Sequence, residues 1–219
     1  MKWLSLIAFL SVAVTGWALR PLLSAPTPRV FEATGTGQMR DQNEKRIDTA
    51  LRTRAPGLGL QLRKQLTVAI AQESAAARFD PLLILAVIGV ESEFQDNAVS
   101  VVGAKGLMQI RPSTLFFWAE HEGIKLTQKE IEADPALRVR LGIRYLKYLQ
   151  QYFWGDLDYA LMAYNAGPTR LLQLIREKNT EQLRGYVTAV RRQYSSLRHV
   201  HGEPDDWMFA SREPRSQPQ

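Results

Sequence analysis

From Pro81 to Val90 the chain reads Pro-Leu-Leu-Ile-Leu-Ala-Val-Ile-Gly-Val, ten residues without a charge or a polar side chain. Such a run is too short to cross a bilayer, which takes about 20 residues. A helix apolar on every side must be covered on every side. Asp80-Pro81 marks its start, an N-cap acceptor followed by proline at the first helical position. The run is therefore predicted to be the central helix of a core, and the rest of the chain must supply its cover. Beyond Leu60 apolar residues recur at three- and four-residue spacing, and no stretch alternates as a half-buried strand would. Asp134-Pro135 repeats the proline cap, Thr127-x-x-Glu130 fits a capping box, and Asn165-Ala166-Gly167-Pro168 stops one helix and starts another. After Pro135, residues Leu137, Leu141, Tyr145, Tyr148, Leu149 and Tyr152 form one broad face. The expected fold is all-α, one domain over 61–200 built around the buried helix.

The flanks read differently. Trp3 to Leu19 is a charge-free apolar run behind Lys2, so residues 1–25 are expected to be an export signal or a retained N-terminal membrane anchor. Residues 26–60, rich in proline and glycine around a charged stretch, are expected to be a linker with one short polar helix, and 201–219 a flexible tail. The absence of cysteine excludes a disulfide framework, a thiolate metal site and a cysteine nucleophile. Three histidines leave little for an imidazole metal site or a serine-histidine triad. The chemistry must come from carboxylates, hydroxyls and amides. The net charge of +6 suits an anionic polymer. The basic residues are dispersed instead of forming a stripe with aromatics, and with the export signal this argues against nucleic acid.

The buried helix ends in Glu91-Ser92-Glu93-Phe94. A carboxylate there meets the negative end of the helix dipole and partial desolvation, and both raise its pKa toward what a general acid needs. Glu93 lies about 200° further round the helix and is expected in solvent. Next comes Ser100-x-x-Gly103-Ala104-x-Gly106-Leu107-Met108-Gln109, whose two glycines permit a tight loop whose backbone can approach a ligand. Later, Ala163-Tyr164-Asn165-Ala166-Gly167-Pro168 sets a phenol and an amide at a helix end.

These three segments, in this order, together with Gly142-x-x-Tyr145-Leu146 and Tyr186-Val187 followed by Val190, resemble the catalytic domain of the soluble lytic transglycosylases, lysozyme-like murein-cleaving enzymes. The resemblance runs from about Leu66 to Tyr194 and departs where the family has Asn-Ile and this chain has Arg138-Val139. It implies a lysozyme-like helical fold and a role for each matching position. Glu91 would be the sole catalytic acid. Ser100 and Gln109 would line the sugar groove, Met108 would pack on the sugar, and the backbone from Gly106 to Gln109 would form a wall. Tyr164 and Asn165 would face the carboxylate, and Tyr186 would hydrogen-bond to it.

The implied reaction breaks the bond between N-acetylmuramic acid and N-acetylglucosamine with one glutamate and closes a 1,6-anhydro ring. It needs no metal and no organic cofactor. Peptidoglycan glycan strands are the expected partner, with proteins of an envelope or secretion machine as a second class, and residues 3–19 as the route to a membrane. The expected location is the periplasm or cell envelope. Two alternatives stay open: a lysozyme-type muramidase, which would need a second carboxylate such as Asp96 or Glu120, and a catalytically silent murein-binding scaffold.

Overall fold

A computed structural model describes residues 34–201, and the expectations for 1–25 and for the tail beyond His201 lie outside them. The central helix forms as predicted, as α3 (Pro81–Ser92). Asp80 Oδ1 accepts from Leu82 N at 2.9 Å, which caps its first turn. Leu82, Leu83, Ile84, Leu85, Ala86, Val87 and Ile88 have no exposed surface at all. Each of the larger side chains contributes about 1.5–3 kcal/mol through burial, so this one helix anchors the hydrophobic core. Two consecutive left-handed residues, Glu93 (φ 51°) and Phe94 (φ 66°), break it off. Gly89 makes that exit possible, because a Cβ there would lie 3.2 Å from the Phe94 ring.

Cover comes from α1 (Thr34–Arg54), α2 (Leu60–Ala77) and α9 (Arg184–His201), all of which pack against α3. Tyr194 of α9 donates to Asp80 Oδ2 at 2.8 Å, and Tyr186 of the same helix donates to Glu91 Oε1 at 2.6 Å. Helix α9 thus runs antiparallel to α3 and holds both of its ends. The short polar helix expected in 26–60 is instead the 21-residue α1. Its second half belongs to the core, with Ile47, Ala50 and Leu51 fully buried, and Arg63 of α2 donates to Asp48 at 2.9 Å.

On the far side of α2 lies α6 (Pro135–Tyr152), flanked by α4 (Pro112–His121), α5 (Gln128–Ala133) and α7 (Leu157–Ala166), with α8 (Pro168–Arg176) packed on α7. The predicted caps are present: Asp134 accepts from Leu137 N, Thr127 and Glu130 complete a reciprocal box, and Gly167 (φ 86°) with Pro168 separates α7 from α8. Asp156 caps α7 in the same way. Helix α6 joins α2 through Glu73, buried and gripped by Arg144 with two contacts of 2.7 Å and by Arg140 at 3.2 Å. The described residues contain no strand, only isolated antiparallel bridges of Lys105 with Val99 and Ile110. Among them no helix is long and apolar enough to cross a membrane.

Candidate active site

Glu91 sits on the last turn of α3, where the buried helix meets the surface. Its carboxyl pKa is pushed up to about 7 by burial, which outweighs the opposing hydrogen bond from Tyr186. Among the described residues no carboxylate contributes to the shift. At neutral pH such a group divides about evenly between donor and acceptor forms. Tyr186 and Tyr164 are both pushed well above the ordinary phenol range, by burial first and by the charge of Glu91 next. Two phenols that stay protonated therefore stand beside one carboxyl that does not always. Glu93, one left-handed residue past the helix, is exposed as expected.

The loop from Ala98 to Ile110 closes over this helix end, and its shape is made by backbone and hydroxyl bonds. Ser100 N donates to Ala104 O at 2.9 Å, and Ser100 Oγ accepts from Ala104 N at 3.0 Å, which zips the base of a tight turn. Gly106 (φ 72°) donates to Ala98 O at 2.8 Å. The left-handed backbone favours glycine there, and a Cβ would come within 3.0 Å of the Arg138 guanidinium, which would have to shift. Gln109, itself left-handed at φ 46°, donates its side-chain amide to Ala98 O at 3.0 Å and Gly106 O at 2.8 Å. Ser100 and Gln109 are thus both partly buried in the loop and both hold its form.

Tyr164 OH donates to Met108 O at 2.8 Å and so fastens the loop to α7. Met108 departs from expectation. Its side chain is only 3% exposed, and its sulfur occupies the space left by Gly142, where a Cβ would come within 2.7 Å. The missing side chain of Gly142 gives Met108 an inward seat, while its carbonyl accepts from Tyr164. Asn165 is exposed on the last turn of α7 and takes no part in these bonds.

Two residues escaped the sequence reading. Ser92 is buried, with its Oγ 2.9 Å from Leu107 O and 3.2 Å from Ile88 O, tying the loop to the helix end beside Glu91. Its place next to Glu91 was the available signal. Arg138 supports Gly106 from below and donates to Glu132 O at 2.7 Å. Asp96 and Glu120, the candidate second carboxylates, contribute nothing to the shift at Glu91, and Glu120 is exposed. No three His, Asp or Glu side chains among the described residues are grouped to hold a metal ion.

Residues 68–186 match the transglycosylase SLT domain family. Over 141 residues the chain is 28% identical to the soluble lytic murein transglycosylase of Salmonella typhimurium, covering 58% of this chain and 22% of that one. It is 32% identical over 130 residues to membrane-bound lytic murein transglycosylase C of Mannheimia succiniciproducens, covering 53% of this chain and 35% of that one. Among solved structures, an inactive mutant of the lytic transglycosylase Slt from Pseudomonas aeruginosa superposes with a TM-score of 0.56 at 28% identity, over 64% of this chain and 25% of that one. The 70-kDa soluble lytic transglycosylase of Escherichia coli superposes with a TM-score of 0.56 at 22% identity, over 80% and 32% of the two chains, a likeness of fold. The all-α, lysozyme-like class is thereby borne out. The chain spans about a fifth of the length of the soluble relatives it matches.

Proposed function

Because the chain belongs to the transglycosylase SLT domain family, we propose that it is a peptidoglycan lytic transglycosylase with Glu91 as its single acid and base. The observation that carries this reading is a carboxyl, raised to about 7 by burial, at the end of the central helix and under the glycine loop. Protonated Glu91 donates to the oxygen between N-acetylmuramic acid and N-acetylglucosamine, and the C1–O bond breaks. The 2-acetamido oxygen of the substrate steadies the anomeric carbon, as in substrate-assisted glycosidases. Ionised Glu91 then takes the proton of the muramic C6 hydroxyl as that oxygen closes on C1. The product carries a 1,6-anhydro ring, water is not consumed, and Glu91 ends protonated for the next cycle.

The surrounding residues have matching tasks. Tyr186 donates to the carboxyl and holds it oriented, and its bond lowers a pKa that burial alone would raise further. Tyr164, Ser92 and Gln109 fix the backbone from Gly106 to Gln109, a wall against which a sugar can lie. Ser100 shapes the turn beside it, and Asn165 offers an exposed amide at the rim. A hydrolysing muramidase would position water with a second carboxylate, and among the described residues none contributes to the shift at Glu91.

The murein polymer lies in the bacterial envelope, and the relatives' names, soluble and membrane-bound, agree with that location. Residues 1–25 would deliver the chain there, as a cleaved signal or a retained anchor in the inner membrane. Mass spectrometry of murein digested by the purified chain tests the reading. Anhydromuropeptides are expected; reducing ends would mean a hydrolase, and intact murein a silent scaffold. Fractionation of cells expressing the chain with and without residues 1–25 tests the address.

A further inference from the structure

We propose that Arg138 is a positioning residue, whose guanidinium, anchored on α5, sets the glycine loop from beneath at Gly106, an inference that rests on the transglycosylase reading above. Arg138 stands where the chain departs from the family's Asn-Ile, so the device is this chain's own. The backbone of Gly106 is already held on two sides. Its N–H donates to Ala98 O at 2.8 Å, and its carbonyl accepts from the Gln109 side chain at 2.8 Å. The third side, where a side chain would stand, faces Arg138: Nη2, Nε and Cζ lie 3.0, 3.1 and 3.3 Å from the place of a Cβ. The guanidinium is itself fixed, because Nη1 donates to Glu132 O at 2.7 Å, on the last turn of α5. An outer arm joins the same two elements. Lys105, the residue before Gly106, has its Nζ 3.2 Å from the Glu132 carboxylate, which Gln128 steadies at 2.9 Å. Glu132 thus grips Arg138 with its carbonyl and Lys105 with its side chain.

Filling space would not call for this residue. Arg138 Nε is buried and has no acceptor among the described residues, and a buried donor without an acceptor is unfavourable. A methionine would occupy a similar volume without that cost. What the guanidinium adds is a rigid plane, pinned at one corner by a carbonyl, where an aliphatic tip would be free to roll. The outer arm is about one-third exposed on both sides and is correspondingly weak, so the inner contact decides where Gly106 sits. A tilt at Gly106 passes to Gln109 through their shared hydrogen bond, and so along the backbone that would lie against the reacting sugar. A displacement of about 1 Å at such a place can cost about 10²-fold in rate.

Anhydromuropeptide release from murein gives kcat, KM and the pH profile of the full chain, of Arg138→Met and Arg138→Lys, and of the exposed control Lys129→Met. All are assayed at a temperature where thermal melts show them folded. Arg138→Met should lower kcat about ten- to a hundredfold with KM nearly unchanged. The alkaline limb should stay in place, because Arg138 is not among the groups that shift Glu91. Hydrogen exchange over residues 98–110 should quicken, Arg138→Lys should recover part of both losses, and Lys129→Met should match the wild type. Glu132→Gln and Lys105→Met cut only the outer arm and should each cost about two- to threefold in kcat. They keep the proposal testable if Arg138→Met does not fold: no change in kcat or loop exchange in either would then overturn it. If the wild type releases anhydromuropeptides and folded Arg138→Met equals it in kcat, the positioning role is refuted and the function stands. A fall in kcat with a moved alkaline limb, or with unchanged exchange over 98–110, refutes the role as well. If the wild type releases no anhydromuropeptides, the function falls and the role with it.

Discussion

Glu91→Gln separates the chemistry of the site from its architecture, because it preserves shape and removes one transferable proton. General acid-base catalysis is commonly worth about 10²- to 10⁴-fold. In the proposed mechanism one group serves both halves of the reaction, so anhydromuropeptide release should fall by about 10⁴-fold. Stability should move the other way. The folded pKa of about 7 lies above the usual 4.5, so the native state holds this proton longer than the unfolded one. Native stability is therefore undiminished below about 4.5, is lost as pH rises, and carries the whole deficit above about 7. A shift of that size corresponds to about 3 kcal/mol at 1.36 kcal/mol per unit, an upper figure for a group partly open to solvent. Glutamine still accepts the Tyr186 hydrogen bond, so about 1–3 kcal/mol should be recovered at pH 8 and almost nothing at pH 4.5. Thermal melts of both proteins at the two pH values, with digestion assays by mass spectrometry, read both effects. Exposed Glu93→Gln is the control and should change neither. Retained activity in Glu91→Gln, or an equal melting difference at both pH values, would refute the assignment of the raised carboxyl.

The wild-type kcat/KM for murein should fall about tenfold per pH unit above about 7, as Glu91 loses its proton. Tyr186→Phe removes the bond that lowers this pKa, so the midpoint of that limb should move to higher pH, and an acid-ward move would contradict the geometry. Gly142→Ala gains up to about 1 kcal/mol of helix propensity, but its Cβ would meet Met108 at 2.7 Å. Overpacking of about 1–3 kcal/mol should win; urea unfolding should show a net loss, and displacement of the Met108 carbonyl should slow cleavage. Leu85→Ala, at the fully buried middle of α3, should cost about 2–5 kcal/mol in the same titration without moving the pH profile.

What could be read from the residues in advance was local. The charge-free run, its aspartate cap and its proline act within a few positions, so α3 and the place of Glu91 on its last turn were visible before any contact was known. The capping box at Thr127 and the break at Gly167 were visible for the same reason. Helix α1 was misjudged because Ile47, Ala50 and Leu51 stand among Arg46, Asp48 and Arg52, and only packing against α2 and α3 shows which face matters. The inward seat of Met108 could not be read in advance because the space it fills is made by an absent side chain 34 positions later, at Gly142. Arg138 looked like a departure in a structural helix; its support of Gly106 is a relation between two elements that no spacing rule expresses.

The two tyrosines of α9 bear on when the protein becomes capable of reaction. Tyr194 reaches back 114 residues to Asp80, and Tyr186 reaches back 95 residues to Glu91. Contacts of such separation close late, since the chain between them must first be ordered. A chain emerging in sequence order can therefore form α3 and the glycine loop while α3 still lacks its α9 cover and the acid its orienting phenol. The last cover over α3 and the orientation of Glu91 would thus arrive together, with the docking of α9.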